Sequence, residues 1–558
     1  MHLLLRLFVL ILLAGSQLSS ISWAQQKNVL FIMADDFNYW LNDYYRPYVQ
    51  TPHLDSLARL GIKFTDASCS SPVCNPSRNA LWSGYRPATT KIWKNGNNPD
   101  GDFFRDVPGF EEVESMNEYF TNRGYFTFGG GKLYHPGKMG DARTDPDHWS
   151  QITTQGTGSS GGSLYKWNSD DATVSWSAGN FDLETTGDRR LAREVASLIS
   201  GYANGPNRSQ PFFIGCGFFR PHLPWNCHKD YFERWDPDTL PFPPGFLAND
   251  LNDVGGNPTT EHNEIVNAGE WKNGIRAYLA NLAFADDNVG IVMEALQASS
   301  HANNTVVVFV GDHGWHLGEK SRWRKFSTWD IANRTSLLIY DPGAAGNGQV
   351  CEKVVSMQDL YPTLAELAGI PSATVQGNSL VPLLADPNRS DWEHPIFMSY
   401  NGTHIIKTNE WRLVDDGNNS QLYNVQTDPY EFVNLYGDAA YNSAVNGLRS
   451  QLANMVNRGS ALRDSLQNPT QLKERGALPY RPIIKNPAVK DHLLQLDLLY
   501  TAPFAELEIL DMEGRSLMQL TAVGEQEVPL HLPQLARGMY LLRVHSEGAT
   551  LTEKFLIQ

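Results

Sequence analysis

Residues 28–34 read Asn-Val-Leu-Phe-Ile-Met-Ala, and residues 305–310 read Thr-Val-Val-Val-Phe-Val. Both runs are short and almost wholly apolar, without the polar alternation of a half-exposed strand. Each therefore suits a central strand buried on both faces. Each ends abruptly on acids: Asp35-Asp36 follows the first, and Gly311-Asp312-His313-Gly314 closes the second. Helix-like segments at 52–60 and 276–297 lie in between, with further strand-like runs at 125–128 and 211–217. Strands alternating with helices predict an α/β fold, a mostly parallel central sheet flanked by helices. Ligands of such sheets sit beyond the carboxyl ends of the strands, the edge to which both acidic motifs belong.

The texture of the chain changes along its length. Residues 1–24 read as a secretory signal: Arg6 gives a positive start, 7–14 form an apolar core, and Ser22-Trp23-Ala24 offers a cleavage site. That run is too short to span a bilayer, and no later segment reaches about eighteen consecutive apolar residues. An exported soluble protein is expected, periplasmic, surface-held or secreted. The α/β region is read as residues 25–385. Short strands with polar turns, then a helix-like stretch at 444–457, predict a smaller α+β subdomain at 386–466. Residues 467–492, rich in proline, lysine and arginine, read as a linker. Residues 493–558 alternate in short strands and predict a terminal β-sandwich.

With 45 Lys and Arg against 61 Asp and Glu, the net charge is -16. This excludes a nucleic-acid partner, which calls for a basic surface. An acidic chain still binds an anion where its cations converge in one pocket. The 15 Trp and 22 Tyr could stack on sugar rings or fill a core. The cysteines are Cys69, Cys74, Cys216, Cys227 and Cys351. Their odd number fits one reactive cysteine plus four others, or free thiols, and leaves open whether Cys216 and Cys227 pair.

At a strand end the chain turns, so the adjacent Asp35 and Asp36 can both face one ion. With Asp312 they make three carboxylates, a set that suits a hard cation, and calcium accepts looser geometry than magnesium. His313 is unusual for calcium, and either ligates or contacts a substrate oxygen. If a helix starts at Cys74 in Cys74-Asn75-Pro76-Ser77-Arg78, Arg78 lies one turn on, facing the same site. Lys132 and His135 occur in Gly-Gly-Lys-Leu-Tyr-His-Pro-Gly, His222 in Arg-Pro-His-Leu-Pro, and Lys325 in Trp-Arg-Lys. Taken singly, each is more often an ordinary surface or core residue. Together they offer cations for equatorial oxygens and an acid for a leaving alcohol.

Met33-Ala34-Asp35-Asp36, the motif at 74–78, Gly131 to Gly137, Arg220 to Pro224 and Gly311 to Glu319 follow one another as in a known family. Over about residues 27–435 the chain resembles the formylglycine-dependent sulfatases, in the branch similar to iduronate-2-sulfatase. The resemblance implies an alkaline-phosphatase-like sulfatase fold and hydrolysis of sulfate esters of glycans, with a 2-O-sulfated uronic acid or related algal sugar first. It implies one calcium ion on Asp35, Asp36, Cys74, Asp312 and His313. Cys74 would be oxidised to 3-oxoalanine, formylglycine, by a formylglycine-generating or sulfatase-maturing enzyme. A thiol is a poor nucleophile for sulfate esters, because a thiosulfate has no easy exit. An aldehyde hydrate attacks with one hydroxyl and collapses with the other. Arg78 and Lys132 would surround that hydrate, and His135 would promote its collapse. His222 and Lys325 would hold sulfate or protonate the leaving group. The stretch at 319–325 carries more positive charge than the branch suggests, which leaves open whether Lys320 or Lys325 faces sulfate. Loops at 95–109 and 156–179 are expected to shape the pocket. The last segment, with Gly538-Met539-Tyr540 and Lys554-Phe555-Leu556-Ile557, resembles a type IX secretion sorting domain. It implies the type IX secretion machinery as a partner; an accessory or carbohydrate-binding β-domain is the alternative. For the whole chain the alternatives are a phosphate or phosphonate monoester hydrolase on the same scaffold, or a catalytically dead glycan-binding protein.

Overall fold

The computed structural model describes residues 26–41, 47–135, 148–153, 162–204, 210–371, 373, 375–417 and 419–467, and strands between 483 and 557. The expected signal segment lies outside the described residues, as do Pro136, Gly137 and 156–161. The central sheet is built from β1 (Asn28–Ala34), β2 (Ile62–Ser68), β3 (Phe126–Gly131), β4 (Gln151–Thr153), β5 (Phe212–Phe218), β6 (Thr305–Gly311), β7 (Arg334–Tyr340) and β8 (Val350–Cys351). Its order is β8-β2-β7-β6-β1-β5-β3-β4, with Val355–Ser356 also on β2. Strand β1 lies between β5 and β6, parallel to both, and every residue of β1, β5 and β6 is buried. That is the environment the unbroken apolar runs require.

Strand β7 runs antiparallel to β6 and β2. A parallel return needs a crossover to the far end of the sheet. The segment joining β6 to β7 instead stays at the carboxyl edge, as the hairpin His316–Leu317/Trp323–Arg324 and the short helix Asp330–Asn333.

Helices α1 (Pro52–Leu60), α2 (Cys74–Ser83), α3 (Gly187–Asn204) and α4 (Trp271–Gln297) flank the sheet. One core joins Leu30, Ile32, Ile214 and Phe309 to Leu191 and Val195 of α3 and Leu279 and Leu282 of α4. On the opposite face Phe31 packs against Trp82 of α2, with ring centroids 5.3 Å apart.

The strands β9 (Ile396–Tyr400), β10 (Thr403–Lys407), β11 (Trp411–Asp415) and β12 (Gln421–Asn424) form an antiparallel meander. Helix α5 (Asn442–Gln467) lays Val445, Leu448, Leu452 and Met455 on Ile406, Leu413 and Leu422, a 3-4-3 spacing that puts one face on the sheet. This layer belongs to the same compact unit as the central sheet, which runs to Arg463. Charges tie the two together. Lys407 is paired with Asp66 at 2.5 Å and with Asp330 at 2.9 Å, and Arg412 with Asp330 at 3.5 Å, all largely buried.

The second unit starts at Asp464. Ile483–Lys490, Leu493–Leu499 and Glu527–His531 form one antiparallel sheet; Phe504–Leu510, Ser516–Val523, Gly538–Ser546 and Ala549–Ile557 form another. The first of these strands lies within the stretch read as linker, a correction to that reading. Its proline, Pro487, falls in the register shift between Lys485 and Ala488, where no ladder hydrogen bond is lost. All five cysteines are buried free thiols, so Cys216 and Cys227 are not bridged. No helix among the described residues is long and apolar enough to cross a membrane.

Candidate active site

The site sits beyond the carboxyl ends of β1 and β6. The Asp312 N–H donates to the Ala34 carbonyl at 3.2 Å, which brings both acidic motifs to one edge. Asp36 has φ 59, a left-handed conformation that aspartate tolerates better than most residues. That turn lets Asp35 and Asp36, adjacent in sequence, face one centre. The Asp36 N–H donates to Asp312 Oδ1 at 2.9 Å.

Cys74 is the first residue of α2, preceded by extended Val73, which carries no side-chain oxygen to cap the helix. The unsatisfied N–H groups and positive end of the helix therefore favour negative charge there. Gly84, at φ 76, closes the helix through its N–H to Ala80 O. Every residue of α2 is buried. Ser77 Oγ donates to the Asp312 carbonyl at 2.6 Å, and Trp82 Nε1 to the Leu133 carbonyl at 2.8 Å. The helix is thereby pinned to both strand ends it serves.

The Cys74 sulfur lies 3.1 Å from Lys325 Nζ, 3.3 Å from His313 Nε2 and 3.9 Å from Lys132 Nζ, and it is hydrogen-bonded by His135. Lys325 also reaches Asp36 Oδ1 at 2.5 Å, while Lys132 pairs with Asp35. Lys132 arrives through a turn at Gly131, φ 71, where a Cβ would lie 2.0 Å from the Gly217 carbonyl. His313 Nε2 stands 3.4 Å from Asp36 Oδ1 and 3.5 Å from Asp312 Oδ2. His222 Nε2 lies 3.9 Å from both Asp35 Oδ2 and Asp36 Oδ2; with 27% of its side chain exposed, it marks the solvent edge. Asp35, Asp36, Cys74, Arg78, Lys132, His135, His222, Asp312, His313 and Lys325 thus converge here. Arg78 differs in detail. Its guanidinium contacts Asp35 and Asp312 at 3.0 Å each and the Lys132 and Leu133 carbonyls, rather than the sulfur.

Burial acts to raise the Cys74 thiol, but Lys132, Lys325 and His313 override it and hold it well below its ordinary value. Burial likewise acts to raise Asp35, and Lys132, His222 and Arg78 hold it far below the carboxylate range. Burial pushes Asp312 up, with Asp35 and Cys74 adding to the effect. His313 is raised to about 9: burial opposes its charge, and Asp312 and Cys74 restore it.

A cation fits this set. Ligand atoms of Asp35, Cys74, Asp312 and His313 all lie within 4.8 Å of one another, as do those of Asp35, Asp36, Cys74 and His222. Two ligands about 2.4 Å from a calcium ion are separated by no more than twice that distance. Asp36 Oδ2 is buried without a hydrogen-bond partner, an acceptor directed at the same centre.

The protein-family model for Sulfatase matches residues 27–370. The chain belongs to the sulfatase family. As such it is a sulfuric ester hydrolase. A model for the N-sulphoglucosamine sulphohydrolase C-terminal region matches 311–458, and one for a secretion system C-terminal sorting domain matches 486–558, which indicates export to the cell surface or beyond. A sulfatase of Formosa agariphila is 32% identical over 454 residues, covering 76% of this chain and 86% of that protein. Iduronate 2-sulfatase of Mus musculus is 28% identical over 396 residues, covering 62% and 69%. Among solved structures, a 2-O GAG sulfatase has TM-score 0.60 at 20% identity, covering 78% of this chain and 92% of that one. A phosphonate monoester hydrolase of Agrobacterium radiobacter has TM-score 0.62 at 20%, covering 78% and 96%.

Within this sulfatase the two lysines of the basic stretch part company. Lys325 enters the site, whereas Lys320 is buried away from it. The Lys320 ammonium pairs with Asp250 Oδ2 at 2.7 Å, donates to the Glu431 carbonyl at 2.6 Å and lies 4.3 Å from the Trp329 ring centroid. Sequence reasoning missed Asn75 and Asn79. Asn75 donates to the Lys94 and Asp102 carbonyls and Asn79 Oδ1 accepts from the Phe104 N–H, which fastens the 94–104 loop to α2. Their signal was weak, since an asparagine inside a helix is usually an exposed one.

Proposed function

We propose that the protein hydrolyses sulfate esters of acidic glycans, with a 2-O-sulfated uronic acid the first substrate class, using Cys74 oxidised to formylglycine and one calcium ion. The carrying observation is a buried cysteine at a helix N-terminus, enclosed by three carboxylates, two lysines and three imidazoles. The uronate comes from the likeness to iduronate 2-sulfatase. As a thiolate the site offers one soft donor among hard oxygens, a set that does not favour calcium. Oxidised to an aldehyde hydrate, Cys74 offers oxygen in place of sulfur, and the set becomes one calcium takes readily.

Asp35, Asp36, Asp312, His313 and the matured Cys74 would hold the ion. When present, the ion and hydrate supply a Lewis acid and a hydroxyl nucleophile. The chain's own residues do the rest. Lys325 and Lys132 direct ammonium groups at the reacting centre and neutralise charge on the sulfuryl oxygens. Arg78 pairs with Asp35 and Asp312 and holds both carboxyl groups in orientation. His135, against the Cys74 side chain, takes a proton as the site resets. His222, at the solvent edge, gives a proton to the departing sugar oxygen. Cys74 is fully buried, so a maturing enzyme must act on it before the chain folds.

The test is a release assay with matured protein on 2-O-sulfated uronate oligosaccharides, other sulfated sugars, an aryl sulfate and matched phosphate and phosphonate esters. Inorganic sulfate from the sugars supports the reading. Faster turnover of phosphate or phosphonate esters would assign the site to the other chemistry hosted by this scaffold, and binding without turnover would make it a lectin.

A further inference from the structure

At Pro224, two residues along the chain from His222, begins the wall of an open cleft of about 880 Å³. It falls in the range of small-ligand sites, about 300–1,000 Å³. Its floor is the three-stranded sheet of Leu164–Asn168, Ser175–Gly179 and Trp225–His228, and Pro224 forms part of its wall. The floor is stiff. Trp167 stacks on Trp176 at 4.6 Å, and Trp176 on Trp225 at 6.1 Å. The Arg220 guanidinium donates to the His222 carbonyl at 2.7 Å and the Pro224 carbonyl at 2.5 Å. One buried cation thus holds both the catalytic imidazole's backbone and the cleft wall.

The lining is that of a sugar site with a positive bias. Asn180 and Asn226 offer amides, and half-buried Phe181 offers ring surface for the C–H face of a pyranose. Exposed Lys166 has no carboxylate partner among the described residues. None of the described lining residues is acidic, although acids outnumber bases 61 to 45 in the chain. A lone ammonium in an acid-free cleft on an acidic protein selects an anionic ligand.

We propose that this cleft binds the acidic sugar adjacent to the sulfated one, with Lys166 contacting its carboxylate or second sulfate. The enzyme then takes chains in preference to single sugars. The inference rests on the glycan-sulfatase reading above.

The test uses full-length matured protein, a sulfated uronate tetrasaccharide from heparin and 4-nitrophenyl sulfate. The readout is the ratio of kcat/KM on the two. Loss of one charge-assisted contact in Lys166→Ala should lower that ratio about tenfold, through KM, with recovery in Lys166→Arg. Lys166 is exposed, so the thermal midpoint should stay within about a degree of wild type. An unchanged ratio, or wild type that cleaves the aryl ester but not the tetrasaccharide, would overturn the cleft assignment alone. Wild type that frees no sulfate from either ester would overturn the sulfatase reading and the cleft with it. A carboxyl-reduced tetrasaccharide separates the two anions: retained dependence on Lys166 assigns its partner as sulfate, and lost dependence as carboxylate.

Discussion

Replacing Lys320 by Met should slow the enzyme although Lys320 never touches the reacting centre. The segment that delivers Lys325 contains four non-glycine residues at positive φ: Lys320 at 55, Ser321 at 49, Arg324 at 72 and Phe326 at 71. At about 1 kcal/mol or more each, the loop carries roughly 4 kcal/mol of backbone strain. Contacts must offset it, and one of them is the buried pair of Lys320 with Asp250, backed by the Glu431 carbonyl. Removing one member of a buried pair costs about 3–5 kcal/mol. Relaxation of the loop and protonation of Asp250 recover part of that, so about 1.5–3 kcal/mol is expected to fall on the geometry of Lys325. This corresponds to roughly ten- to hundredfold in kcat/KM for sulfate release. The assay is a double-mutant cycle with Lys325→Met. If Lys320 acts by placing Lys325, its loss in the Lys325→Met background should cost less than about threefold. Fully additive effects, or a Lys320→Met enzyme with wild-type kcat/KM, would refute the reasoning.

Cys74→Ala should abolish turnover while the thermal midpoint stays within a few degrees, because the site loses its nucleophile and no core volume beyond a sulfur; retained turnover rejects Cys74. Stripping calcium with chelator should remove activity and lower the midpoint by about 3 °C, taking roughly 2.7 kcal/mol for a site a hundredfold above its Kd; calcium should restore both, and indifference to chelator counts against the carboxylate set. Truncation after residue 475 spares the unit ending at Arg463. Purified truncated enzyme should keep wild-type kcat/KM while the cells fail to export it, and lost catalysis would make the terminal sheets part of the active enzyme.

The sheet and the site were legible because both leave local marks. β1 and β6 are buried on both sides and so read as unbroken apolar runs, and their ends carry the acids. The helix at Cys74 announces itself by Gly84 at its close. The antiparallel β7 was not legible: Arg334–Tyr340 begins on three polar residues, though it is buried through its middle, and its direction is set by a connection that never leaves the carboxyl edge. The sheet under the Lys166 cleft was missed because Leu164–Asn168 is mostly exposed and carries no periodic signal. The strand Ile483–Lys490 was hidden by its proline and lysines. The choice between Lys320 and Lys325 was beyond sequence altogether, since it depends on Asp250 and Glu431, distant in the chain and brought together by folding.

The central claim is that Cys74 works as an aldehyde. Trypsin releases residues 64–78 as one peptide holding both Cys69 and Cys74. Matured protein should yield this peptide about 18 Da light, with one alkylatable thiol instead of two. Across preparations matured to different extents, the light fraction should rise in proportion to the rate of sulfate release. A preparation with an unmodified peptide that releases sulfate at full rate would contradict the account.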